Sequence, residues 1–173
     1  MKRIAVVVGN PKPASRTLGA AVAVADALAE ATGAPAGHLV VDLAEHAASL
    51  FDWAAPELSR LTAEVADAGL AVFASPTYKA SYTGMLKAFL DRYGSNGLAG
   101  SVAVPVMTGG WPGHLLAVEV HLRPVLVELG ATVPARGLYI TEPEFGDLGA
   151  AVDRWATAGV PLVRAALRQP PGT

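Results

Sequence analysis

Three polar stretches, each directly after an apolar run, hold the residue types in this chain best suited to chemistry. Ser75-Pro76-Thr77-Tyr78-Lys79-Ala80-Ser81-Tyr82-Thr83-Gly84 follows Leu70-Ala71-Val72-Phe73-Ala74. Pro76 stiffens this segment, and Tyr78 and Tyr82 offer flat aromatic faces to a planar ligand. Gly9-Asn10-Pro11-Lys12-Pro13-Ala14-Ser15-Arg16-Thr17 follows Ile4-Ala5-Val6-Val7-Val8 and leads into a helical pattern. A loop entering a helix suits an anion, because unpaired N–H groups and the positive end of the helix dipole face it. The hydroxyls of Ser15 and Thr17 and the Arg16 guanidinium would add direct bonds, although Ser15 equally suits a plain N-cap. The third stretch, Thr108-Gly109-Gly110-Trp111-Pro112-Gly113-His114, closes a valine-rich run, and its glycines permit close backbone approach.

Other chemistries lack their residues. There is no cysteine, so disulfides, thiolate metal sites and cysteine nucleophiles are excluded, and redox chemistry requires a bound cofactor. His38, His46, His114 and His121 match no metal-ligand spacing. Neither GxGxxG nor GxxxxGK[ST] is present. The formal charge of −2, with both signs interspersed, gives no footprint for nucleic acid. Hydrophobic residues make up 52% of the chain, yet no apolar stretch approaches the ~20 residues of a membrane span. The start, Met1-Lys2-Arg3 running into Ile4, reads as a first strand rather than a leader, which makes the cytoplasm the expected location.

The elements that must position these stretches alternate from end to end. Strands are predicted at 3–8, 38–43, 70–75, 101–107 and 136–140, with helices at 17–30, 56–67, 84–93, 114–129 and 147–168. Five β-α repeats imply parallel strands joined by crossover helices in a single domain, residues 1–173. If the sheet has the flavodoxin-like order 2-1-3-4-5, the edges after strands one, three and four converge at the switch point where a flavin mononucleotide binds. Pro124 lacks an N–H and crowds the Val120 carbonyl, so the fourth helix should be kinked or change to a π or 3₁₀ turn near His121. Phe51 and Trp53, in the long connection 44–56, are expected to pack on the core edge or on a second subunit. Trp155 falls in an apolar stripe with Leu148, Val152 and Leu162 and reads as core. Lys87 and Asp91 form an i,i+4 helix-face pair. The tail 169–173 is expected to fray.

Taken together, Gly9-Asn10-Pro11-Lys12 with Ser15-Arg16, the segment from Ser75 through Thr83-Gly84-Met85-Leu86-Lys87, and Thr108-Gly109-Gly110 through His114-Leu115-Leu116-Ala117-Val118 to Arg123-Pro124-Val125-Leu126 resemble a known family. It is that of the NAD(P)H-dependent FMN reductases of flavodoxin-like fold, most closely those supplying reduced flavin to alkanesulfonate monooxygenases. The resemblance runs from residue 3 to about 140. It implies an α/β three-layer sandwich around a five-stranded parallel sheet of order 2-1-3-4-5, and an oxidoreductase passing hydride from NAD(P)H to FMN. It further implies that Ser15, Arg16 and Thr17 hold the FMN phosphate, that Pro76, Thr77, Tyr78 and Lys79 lie along the isoalloxazine, and that Thr108, Gly109 and Gly110 border its other side. No residue is assigned as acid, base or nucleophile. A homodimer or homotetramer and a monooxygenase partner are implied, with no nucleic acid and no membrane. Asn10 stands where the family usually has Ser. His121 is the counterpart of an inserted Tyr or His that gives some relatives a π-bulge at their subunit interface. The alternatives are an FMN-dependent quinone or azo-compound reductase, a one-electron flavodoxin-like carrier, and an interaction protein that has lost flavin.

Overall fold

Valine-rich runs apolar on both faces become inner strands here because helices cover both sides of the sheet. The computed structural model describes residues 2–168, so the predicted fraying of the tail lies outside the described residues. The strands are β1 (Ala5–Val8), β2 (Leu39–Asp42), β3 (Leu70–Pro76), β4 (Val102–Gly109) and β5 (Leu138–Thr141). All are parallel, in the predicted order β2-β1-β3-β4-β5. The side-chain period of two sorts them onto two cores. Ile4, Val6, Val8, Val72 and Val104 pack beneath α1 (Arg16–Thr32) and α5 (Leu148–Leu167). Val7, Phe73, Ala103 and Met107 face α2 (Pro56–Ala68), α3 (Gly84–Leu90) and α4 (Arg123–Glu128).

Local chemistry sets the helix limits. Ser15 caps α1 by accepting the Leu18 N–H at 3.2 Å, and Gly33, at φ 72°, ends it. Pro56 opens α2, and Gly69, at φ 74°, turns the chain directly into β3. Pro105 sits inside β4 without breaking the sheet. Parallel pairing with β5 begins only at Val106, and the Ala103 N–H is taken by Thr132. Pro105 therefore falls in the gap between those contacts, where a missing donor costs no ladder bond.

Three strands run further than predicted: Thr141 ends β5, Pro76 ends β3, and Thr108 and Gly109 end β4, with Pro76 paired to Thr108. The ladder continues because the Thr77 N–H donates to the Thr108 carbonyl at 2.7 Å. The fourth helix changes type near His121 as predicted: it consists of a 3₁₀ turn at Pro112–His114, a π-helical turn at Val118–Leu122, and α4. The Arg123 N–H reaches back five residues to the Val118 carbonyl, one position before Pro124 removes a donor. His121 is exposed on this π turn.

The aromatic expectations are corrected in part. Phe51 and Trp53 do not pack on the core edge; they are 75% and 67% exposed. Their loop is held instead by Arg92, which donates to the Asp52 carbonyl at 3.0 Å and lies 5.5 Å from the Trp53 ring. Trp155 is half-buried because its indole N–H must reach the Arg136 carbonyl at 2.8 Å, and Leu162 on the same helix is 48% exposed. Lys87 and Asp91 form the expected ion pair.

The end of β1 and the start of α3 approach each other closely. A methyl group on Gly9 would collide with Leu86, whose own backbone nitrogen would be 3.0 Å away and has no room to retreat. Gly9→Ala should therefore destabilise by about 1–3 kcal/mol through overpacking. Gly19→Ala, on an open face of α1, should stabilise by about 0.5–1 kcal/mol. Urea unfolding of the two variants checks both signs.

Candidate functional site

The first loop is built before any ligand is considered. Asn10 folds back so that its Oδ1 accepts the Lys12 N–H at 2.9 Å, while its amide donates to Thr17 Oγ1 at 3.1 Å. Ala14 takes a left-handed φ of 49°, and its N–H is received by Asp42 at the end of β2, at 3.0 Å. The Ser15 hydroxyl is engaged as the N-cap. Thr17 is buried, with its hydroxyl 2.8 Å from that of Thr108. Of the three residues predicted to hold phosphate, Arg16 alone carries its charged group into the open. Helix geometry leaves the first-turn N–H groups of α1 without intrahelical acceptors beside it.

The second edge is held by two buried hydroxyls. Ser75 donates to the Pro76 carbonyl at 2.8 Å and accepts the Thr83 N–H at 3.0 Å. Thr83 donates to the Gly9 carbonyl at 2.5 Å and caps α3 by accepting the Leu86 N–H at 3.2 Å. Between them, Tyr78 and Ser81 exchange both backbone bonds, at 2.9 and 3.1 Å, across Lys79 and Ala80, whose φ values are 51° and 65°. This is a type I′ turn with no glycine, an uphill conformation at both central residues. It leaves the Tyr78 ring 54% exposed beside the first loop.

The third edge supplies a flat backbone. A side chain on Gly109 would strike the Tyr139 hydroxyl and approach the Thr77 Cβ to 3.3 Å, so any larger residue must push the end of the Tyr139 ring aside. Thr77 Oγ1 is buried without a hydrogen-bond partner at this wall.

These edges enclose a cavity of about 330 Å³ at the carboxyl end of the sheet. Every predicted site residue lines it except Lys79, which the turn carries to the outside. Four lining residues were not in the predicted set: Asn10, Lys12, Glu142 and Phe145. Glu142 and Phe145 come from the 3₁₀ segment Glu142–Asp147 that follows β5. Arg16 Nη2 donates to Glu142 Oε1 at 3.0 Å, and its guanidinium carbon lies 4.9 Å from the centre of the Phe145 ring. The one signal for this segment was Thr141 with Glu144 three residues on, a capping-box pattern that marks a helical start at a fifth carboxyl edge. A larger groove of about 480 Å³ lies beside Lys2 and Asp67, which pair with each other. It borders the opposite end of the sheet, away from the switch point where open α/β sheets bind ligands.

The fold and this cavity define a flavodoxin-like α/β protein with a cavity at its switch point. The family described as NADPH-dependent FMN reductase matches residues 2–144, and the chain belongs to that family of oxidoreductases. It is 38% identical over 92 residues to the FMN reductase (NADPH) of Escherichia coli strain K12, a match covering 53% of this chain and 48% of that protein. The chain thus spans about half the length of that relative. It is 34% identical over 159 residues to the NADH-dependent FMN reductase SfnF of Pseudomonas fluorescens strain Pf0-1, covering 85% of this chain and 80% of the other. Among solved structures, the apo form of an NADH:FMN oxidoreductase (EMOB) superposes with a TM-score of 0.79 at 27% identity, covering 98% of this chain and 91% of that one. An oxidoreductase of Corynebacterium diphtheriae, with a TM-score of 0.81 at 23% identity, shares the fold.

Glu144 anchors the segment that carries Glu142 and Phe145. Burial alone would raise its pKa, but the Thr141 N–H at 2.8 Å, the Thr141 hydroxyl at 2.7 Å and Arg154 at 2.6 Å hold it below the ordinary value. A carboxyl depressed in the folded state stabilises above its unfolded pKa of about 4.3, and that contribution is lost as the pH falls through the folded value. Glu144→Gln should therefore be less stable than wild type at neutral pH, with the gap closing as the pH drops from about 6 to about 3. Denaturant midpoints across that range check it; a constant gap would mean the charge contributes nothing.

Proposed function

We propose that this protein is an NAD(P)H-dependent FMN reductase that takes FMN in the cavity at the carboxyl edge of β1, β3 and β4. The observation that carries this reading is the convergence on one cavity of the α1 N-terminus with Arg16 and Lys12, the Tyr78 turn, and the Thr108–Gly110 wall. The donor set fits the group. A phosphate carries about −1.5 to −2 charges at neutral pH and is matched by a guanidinium and a helix N-terminus. The unpartnered Thr77 hydroxyl and the close Gly109 backbone suit a polar, planar ring system.

In this reading Arg16, Lys12 and the first-turn N–H groups of α1 bind the phosphate, while Ser15 and Thr17 shape the loop rather than spending their own hydroxyls on it. Tyr78 and Pro76 line one side of the ring and Gly109 with Gly110 the other. When bound, the flavin supplies the redox chemistry, accepting hydride from the nicotinamide and passing electrons to an acceptor. The chain's own work is to bind and orient. The strained Tyr78–Ser81 turn holds an aromatic wall in place before the ligand arrives, and pre-organisation of this kind lowers the ordering cost of binding. The resemblance to reductases of alkanesulfonate systems supports delivery of reduced flavin to a monooxygenase. No helix among the described residues is long and apolar enough to cross a membrane.

Exposed Trp111, Leu115, Leu116 and Val120 continue from the cavity rim onto the π turn, and Phe51 and Trp53 stand exposed on another loop. This apolar surface supports a homodimer or homotetramer in which the π turn meets a second copy.

Arg16→Ala should weaken FMN roughly tenfold to a hundredfold, the scale of one charge-assisted hydrogen bond, while riboflavin, which lacks the phosphate, should be little affected. Calorimetry with both flavins tests it; equal FMN affinity in wild type and variant would remove the phosphate assignment. Light scattering at micromolar concentration should give a dimer or tetramer. A monomer with full reductase activity would refute the assembly.

A further inference from the structure

Three charged side chains line the cavity, Lys12, Arg16 and Glu142, and the last has the wrong sign for a phosphate site. Its only side-chain hydrogen-bond partner among the described residues is Arg16. Its neighbour Glu144 is locked by Thr141 and Arg154. The Arg16 and Glu142 side chains are 64% and 60% exposed, so the pair can part at little cost. The two partners are held unequally. Arg16 is rooted in the first turn of α1 and backed by the Phe145 ring, whereas Glu142 reaches across the mouth toward Gly110, where an added Cβ would lie 3.5 Å from Oε2.

We propose that Glu142 is a built-in competitor for the ligand phosphate: its carboxylate engages Arg16 Nη2 and contests that cation with a phosphate monoester. This rests on the reading that the cavity receives FMN through its phosphate. Glu142 takes Nη2, one of the donors of the guanidinium, and two anions on one cation repel each other. Glu142 thus lowers affinity for the phosphorylated flavin and leaves the neutral flavin untouched, which narrows the preference for FMN over riboflavin.

The opposite role is also physically reasonable, since a carboxylate that holds an arginine in position can improve phosphate binding. The two roles differ in sign. FMN and riboflavin would be titrated by calorimetry into wild type, Glu142→Gln, Arg16→Ala and the double variant. Competition predicts that Glu142→Gln tightens FMN about three- to fivefold, the scale of an exposed ion pair, with riboflavin unchanged. In the Arg16→Ala background the effect of Glu142→Gln should fall below about twofold, because the contested group is gone. Weaker or unchanged FMN binding by Glu142→Gln would overturn the proposal, as would equal tightening of both flavins or an undiminished effect without Arg16. FMN affinity unaffected by Arg16→Ala would overturn the phosphate reading itself, and the proposal with it.

Discussion

The carboxyl edge of this sheet depends on one buried hydroxyl, that of Thr83. It donates to the Gly9 carbonyl and accepts the Leu86 N–H, so the end of β1 and the start of α3 are joined through a single oxygen. Polar backbone at the end of a buried strand needs partners when water is excluded. Thr83 supplies one for each side, Ser75 receives the Thr83 N–H, and Gly9 has no Cβ to hold the two segments apart. With β1 and α3 clamped, the first loop and the Tyr78 turn face each other at a fixed spacing. The cavity is the space left between them.

A second seam runs alongside. Asn10, Thr17 and Thr108 form a buried chain of side-chain hydrogen bonds linking the first loop, α1 and β4. Satisfied polar networks in a low-dielectric interior rigidify what they connect. Here the network consumes hydroxyls that a reading of residue types would assign to the ligand. In the proposed reading, recognition is left to backbone N–H groups, to Arg16 and Lys12, and to flat surfaces. A site made this way is set by shape and charge more than by hydroxyl count.

The fifth edge tempers the charge. The capping box of Thr141 and Glu144 fixes a short 3₁₀ segment whose first residue, Glu142, meets Arg16 and whose Phe145 backs it. Residues 126 positions apart in the chain thereby share one ion pair. The π turn of Val118–Leu122 is likewise tied down at a distance: Glu119 accepts the Gly137 N–H at 2.6 Å, and Arg123 donates to the Val133 and Ala135 carbonyls at 2.6 and 2.9 Å. Two carbonyls and an N–H of the approach to β5 are thus met by side chains of the irregular helix.

By itself the sequence determined the strands, their parallel sense and the three polar edges, because these follow from short-range patterns: apolar runs of strand length, helical periods, and glycine or serine at their ends; the strand order came from the family resemblance. The sequence also located the break in the fourth helix, since a proline's missing donor is a local fact. Tertiary structure alone decided which hydroxyls were free, that Lys79 points away, that Trp53 rests under Arg92 rather than in the core, and that Glu142 and Phe145 face the first loop. Each of these depends on where a distant residue happens to sit. Side-chain hydrogen bonds and ion pairs act over about 3 Å, and no spacing along a chain records a contact that close between residues that far apart.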